Sequence, residues 1–150
     1  MLLRSANQQD IPRIAFLLMR MHEESGMGKL NMPKVERYIG ATLARGVILI
    51  VEDDDLPIAT MGLRGQDFWW SDDTALVDAF TYVAPEGRKT SAFRMMFRKA
   101  KEMANKAHMP LLMANFGHVD EERKSKLFRR IGKPMGTTII TGDTSHFLWK

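Results

Sequence analysis

The chain contains no cysteine. A disulfide framework, a thiolate metal site and a cysteine nucleophile are therefore excluded. Its four histidines are scattered, and without thiolates they do not make a metal-ligand set. Long apolar runs are also missing. Stretches such as Val47–Val51 fall far short of the roughly 20 residues a membrane-spanning helix needs. The opening Met1-Leu2-Leu3-Arg4 starts no apolar segment of the secretory kind, so a cytoplasmic protein with no membrane partner is expected. There is no Gly-Lys-Ser/Thr phosphate loop, no nucleic-acid motif, no internal repeat and no low-complexity linker. Nucleic acid is accordingly not an expected partner.

What is present is ordinary globular material. In 150 residues, 45% are hydrophobic and 27% charged, enough to bury a core in one domain, residues 1–150. The net charge of +4 is unevenly spread. From Arg88 to Lys133 there are 13 basic and 4 acidic residues, leaving a net negative remainder. A split of this kind points to an anionic ligand or partner met by the second half of the chain. The 12 methionines, Met95, Met96 and Met103 among them, suit core filling.

Periodicity gives the element order. Leu2–Arg4 reads as a short strand. Asp10 is placed to cap a helix with Pro12 in its first turn and Ile11, Ile14, Ala15, Leu18 and His22 on one face. Glu23-Glu24-Ser25-Gly26 ends it. Asn31 caps a second helix bearing Val35, Ile39, Thr42 and Leu43, closed by Gly46. Val47–Val51 and Ile58–Arg64 form a hairpin about the exposed turn Glu52–Asp55. Gly65–Asp73 is a loop carrying Phe68-Trp69-Trp70, and Thr74–Val83 is a long strand. Thr90–Ala107 is a helix with Phe93, Met96, Phe97, Ala100, Ala104 and Ala107 inward. Met109–Ala114 is a strand, Asp120–Ile131 a helix, and Thr137–Thr141 and Ser145–Trp149 the last two strands. The order β-α-α-β-β-β-α-β-α-β-β predicts an α/β (α+β) domain, a mixed central sheet with helices on both faces. Thr74–Ala114, a strand–helix–strand unit, predicts parallel neighbours.

The run Tyr82-Val83-Ala84-Pro85-Glu86-Gly87-Arg88-Lys89-Thr90-Ser91, set in this order, resembles the GNAT acetyltransferase superfamily. Members carry a strand ending in Val-x-Pro and an Arg/Gln-x-x-Gly-x-Gly/Ala turn leading into a long helix; Val83, Pro85 and Arg88 match. Leu127-Phe128-Arg129-Arg130-Ile131-Gly132 resembles the family's late helix. The likeness is strongest to short members with degraded glycines, familiar from bacteriophages. It therefore implies a protein of the host cytoplasm, or alternatively a virion-associated one. A loop opening a helix offers unpaired backbone N–H groups and the positive end of the dipole. The resemblance implies that Arg88, Lys89, Thr90, Ser91, Ala92 and Phe93 hold the pyrophosphate of acetyl-CoA. It implies that the strand at Thr81, Tyr82 and Val83 holds the pantetheine arm, with Asn115 and Phe128 also at the cofactor.

The sequence departs from the family pattern twice. Ser91 and Phe93 stand at the two glycine positions, and glycine is used where backbone must approach a ligand closely. Phe93 leaves the cradle open only if it points inward. Phe128 replaces the tyrosine that often protonates the leaving thiolate, and phenylalanine has no proton to give. For the base that deprotonates the amine, Asp78 and His118 are the candidates, histidine because it titrates near neutrality. Glu23, Glu24 and Trp69 are candidates for the acceptor side. Two functions are expected on these grounds. One is an acetyl-CoA-dependent N-acetyltransferase acting on an amine of a protein or small molecule. The other is a non-catalytic binding or virion protein on the same scaffold, for which the Phe68–Trp70 loop is a protein-partner surface. The resemblance also implies a homodimer, or a phage or host protein partner, as an assembly.

Overall fold

The computed structural model describes residues 1–114, 121–136 and 141–145. Its elements in chain order are β1 (Leu2–Ser5), a single 3₁₀ turn (Gln8–Asp10), α1 (Ile11–Ser25), α2 (Met32–Arg45), β2 (Gly46–Asp53), β3 (Leu56–Asp67) and β4 (Thr74–Val83). After these come a second 3₁₀ turn (Pro85–Gly87), α3 (Ala92–Lys106), β5 (Leu111–Leu112) and α4 (Glu121–Ile131). The strands form one sheet in the order β1-β2-β3-β4-β5. The first four are antiparallel neighbours, and β5 runs parallel to β4. The expected α/β class, mixed sheet and helix-covered faces are all found. The expected strands Thr137–Thr141 and Ser145–Trp149 fall mostly outside the described residues.

β2 is buried on both faces, which is why it reads as an unbroken apolar run rather than an alternation. Ile48 and Ile50 meet Ile14, Ala15, Leu18 and Ile39 of α1 and α2. Leu49 and Val51 point the other way, into a layer with Ala59, Met61 and Leu63 of β3 and Ala92, Met96, Ala100 and Ala104 of α3. The small residues of α3 let its axis lie close to the sheet.

Local chemistry explains most boundaries. The Asn31 side chain accepts from the Lys34 amide at 3.0 Å, the expected cap of α2. α1 ends at Gly26, whose φ of 63° is left-handed and whose N–H donates to the His22 carbonyl at 2.7 Å. Asp10, in contrast, makes no side-chain cap on α1. It accepts from the Asn7 amide at 2.9 Å, closing the preceding turn, and pairs with Arg4. The β2–β3 turn is tighter than expected: Asp54 and Asp55, both at positive φ, form a two-residue hairpin turn. Glu52 therefore belongs to the strand and is buried, paired with Arg4 and Arg13. Gly65, Gln66 and Asp67, expected in a loop, continue β3 opposite Leu76, Ala75 and Thr74.

Two irregularities bend β4 and free part of its edge. Gly62 pairs with Phe80 and Leu63 with Asp78, so Ala79 is an extra residue, a bulge that bends the strand. β5, expected over Met109–Ala114, pairs with β4 only at Leu76↔Leu111 and Val77↔Leu112. Past Val77 the two strands part.

Candidate functional site

Where β4 and β5 part, a cleft of about 650 Å³ opens between the second half of β4, the turn into α3 and α4. Thr81, Tyr82 and Val83 line it from β4, with an edge that β5 does not pair. Gly87, Arg88 and Thr90 line it from the turn, Phe93, Arg94 and Phe97 from α3, and Leu127, Phe128 and Arg130 from α4. The first turn of α3 faces the same region, and its early amides have no intrahelical acceptor. Thr90 ties this turn down: its hydroxyl donates to the Gly87 carbonyl at 2.6 Å and accepts from the Ala92 amide at 3.1 Å.

The cleft's charge is lopsided. Arg88, Arg94, Arg123, Lys124, Lys126 and Arg130 all line it, against Glu24 as the one carboxylate among its described lining residues. Glu24, at the end of α1, accepts from the Tyr82 hydroxyl at 2.5 Å and from Arg88. Arg88 also donates through Nε to the Val83 carbonyl at 3.1 Å. Burial first, and the Glu24 carboxylate second, push the Tyr82 phenol well above its usual range, so it stays a donor. Beside this group Arg20 clasps Glu86 at 2.7 and 2.9 Å and holds that carboxyl down at about 2.

Phe93 packs against the α3 core layer and lies parallel to Phe97, ring centroids 6.0 Å apart at 9°. Its ring borders the cleft as a wall and leaves the space open. Ala92 faces the core, while Lys89 and Ser91 are exposed on the turn, the Ser91 hydroxyl lying 3.6 Å from Met95 Sδ. Asp78 sits where the strands part. Its Oδ1 accepts from the Ala114 amide at 2.9 Å and its Oδ2 from the Thr81 hydroxyl at 3.2 Å, and burial raises its pKa. It thus supplies with a side chain the rung that the β4–β5 ladder lacks. Asn115 and His118 lie outside the described residues.

The structure brings Thr81, Tyr82, Val83, Arg88, Thr90, Phe93, Phe128 and Glu24 to one cleft. It does not bring Trp69 there. Trp69 is 91% exposed at the tip of the β3–β4 hairpin, edge-on to Trp70, and Thr74 and Thr81 are seven residues apart on β4, about 23 Å. Glu23 is exposed on the last turn of α1 and lines neither cavity. The cations Arg94, Arg123, Lys124, Lys126 and Arg130 carry no individual signal in the sequence. Their collective signal is the basic excess between Arg88 and Lys133.

A second cavity, a groove of about 860 Å³, lies against β4 at Ala79 and Phe80, between the end of α1 and the first half of α2. Met21 lines both spaces. Among the described residues no group of His, Asp or Glu is arranged to hold a metal, and no helix is long and apolar enough to cross a membrane.

No protein-family model matches this sequence, and the comparison with curated proteins gives no match. Solved structures do match in fold. A predicted acetyltransferase of Clostridium acetobutylicum, solved with acetyl-CoA, superposes with a TM-score of 0.76 over 95% of both chains at 16% identity. An aminoglycoside 6'-N-acetyltransferase of Acinetobacter haemolyticus does so at 0.70, covering 95% of this chain and 97% of its own, at 14% identity. The ribosomal-protein-alanine N-acetyltransferase of Brucella melitensis biovar Abortus 2308 does so at 0.69, covering 95% and 100%, at 15% identity. The fold is that of the GNAT acetyltransferases.

Proposed function

We propose that the protein is an acetyl-CoA-dependent N-acetyltransferase. The observation that carries this reading is the cleft at the parting strands: an unpaired β4 edge, a helix start and a cationic wall converge on one space. Those are the complements of an amide-bearing arm joined to phosphates. Bound acetyl-CoA supplies an acyl thioester, whose acetyl group passes to an amine with C–N formed, C–S broken and the amine's proton balancing the released thiolate.

The chain's residues would act as follows. Thr81, Tyr82 and Val83 offer backbone groups to the pantetheine. Arg88, with Lys89, Thr90, Ser91 and the early amides of α3, holds the pyrophosphate, and Arg94 and the α4 cations draw the remaining anionic groups. Phe93, Phe97 and Phe128 exclude water from the arm. Phe128 carries no proton, so the thiolate takes its proton from another source. Asp78 and His118 remain the proposed bases. With both oxygens engaged by Thr81 and Ala114, Asp78 also holds the strands at their parting.

Calorimetry with acetyl-CoA tests the reading. The wild-type protein is expected to bind in the micromolar class. Arg88→Ala, which also strands Glu24 beside the anion, is expected to weaken binding roughly tenfold to a hundredfold with an unchanged far-UV spectrum. Absence of binding to the folded wild type overturns the proposal.

A further inference from the structure

Resting on that reading, we propose that the acceptor is a small amine with an apolar body and a carboxylate, bound in the second groove, and not a polycation. The groove is placed for an acceptor: it abuts β4 at Ala79 and Phe80, and Met21 lines both it and the cleft where β4 continues as Thr81–Val83. Leu18, Leu30, Val35 and Phe80 give it an apolar floor. Lys29, Lys34 and Arg37 stand on its rim, and no lining residue is acidic.

These three cations are exposed, and among the described residues none makes an ion pair. Of the acids near it, Glu24 is held by Tyr82 and Arg88, while Glu23, beside His22, and Glu36, beside Arg37, are exposed and do not line the groove. His22 is committed too: its Nε2 lies 2.8 Å from the Gly28 carbonyl, which only accepts, so that nitrogen donates. A carboxylate entering the groove meets unneutralised positive charge, while its apolar body covers the floor. A polycation meets the same charge with the opposite sign. The rim has a second effect. An ammonium beside fixed cations loses its proton more readily, and only the neutral amine attacks a thioester.

Binding of product-like ligands to the protein alone tests this without turnover. N-acetyl-leucine, N-acetyl-phenylalanine and N-acetyl-tryptophan are titrated by calorimetry, with spermidine as the polycation. At least one acetylated amino acid is expected to bind in the sub-millimolar range, and spermidine is not. The double variant Lys34→Glu, Arg37→Glu is expected to weaken that binding tenfold or more and to leave acetyl-CoA affinity within twofold. The proposal is overturned if none of the three binds, if the double variant binds them as the wild type does, or if spermidine binds the wild type. Acetyl-CoA binding is read in the same samples, so failure of the cofactor reading is seen separately from failure of the acceptor class.

Discussion

Asp10 is 4% exposed and accepts from Arg4 at 2.7 and 2.8 Å and from the Asn7 amide at 2.9 Å. Chiefly through the Arg4 hydrogen bonds, its carboxyl is held down at about 2, below its ordinary 3.8. A depressed carboxyl contributes stability that is full above its unfolded value and is lost as pH falls through the folded one. The fold is therefore expected to weaken as pH drops from about 4 to about 2. Asp10→Asn should make that acid limb shallower, leaving the part that Glu52 and Glu86 contribute, and cost about 1–3 kcal/mol at neutral pH, the lower part of the range because the Arg4 side chain is 30% exposed. Urea titrations of both proteins between pH 2 and 7 decide it: parallel pH profiles would sink the assignment. At this scale the sequence is only partly legible. Asn31 and Gly26 declare themselves through local rules, because their partners lie three or four residues away. Asp10 and Glu52 do not, because what buries them is Arg4 on a neighbouring strand and Arg13 on a helix. The same holds for Glu24, legible as an acid near the acceptor side but not as the partner of Tyr82 and Arg88.

Among the elements, β4 carries the most consequence. Its residues Thr74–Val83 are readable directly from their apolar and β-branched content. The bulge at Ala79 is not, because nothing in a run such as Val77-Asp78-Ala79-Phe80 marks which residue lacks a partner. Gly62, opposite Phe80, supplies a test. A Cβ at Gly62 would fall 2.7 Å from the Phe80 ring. Gly62→Ala is expected to destabilise by about 1–3 kcal/mol through overpacking. Phe80→Leu in the same chain should return part of that loss, since the clash is with a side chain. Thermal denaturation of the two single variants and the double checks this, and strictly additive losses would count against the contact. The two-residue extent of β5 is equally hidden, because Met109–Ala114 is largely apolar and pairing is decided by where β4 bends.

For the molecule as a whole, the fold is legible because its determinants are collective. An element order and a buried central strand survive many local misreadings, such as the first three residues of a loop, Gly65–Asp67, that prove to be the end of β3. The charge split is legible in the same way, as an excess without an address. The structure gives it one, the wall of the cleft. Anion binding there is expected to be ionic-strength dependent, with acetyl-CoA affinity falling roughly threefold to tenfold between about 50 and 500 mM salt. Calorimetry across that range measures it, and a flat response would show that these cations do not meet the ligand's phosphates.

The parting of β4 and β5 has one more consequence. The sheet keeps β5 by two residue pairs, the Leu76 amide's bond to the Pro110 carbonyl, the Asp78 carboxylate and the partly buried Leu111 and Met113, while α3 on the other wall is anchored through a full core layer. Local opening on the β5 side breaks few contacts, so its amides are expected to exchange hydrogen through excursions far short of global unfolding. A ligand lodged between the walls joins the loosely held side to the firmly held one. Part of its binding free energy then appears as slowed exchange in the host rather than as affinity, and the ligand acts as a temporary piece of the protein's own framework.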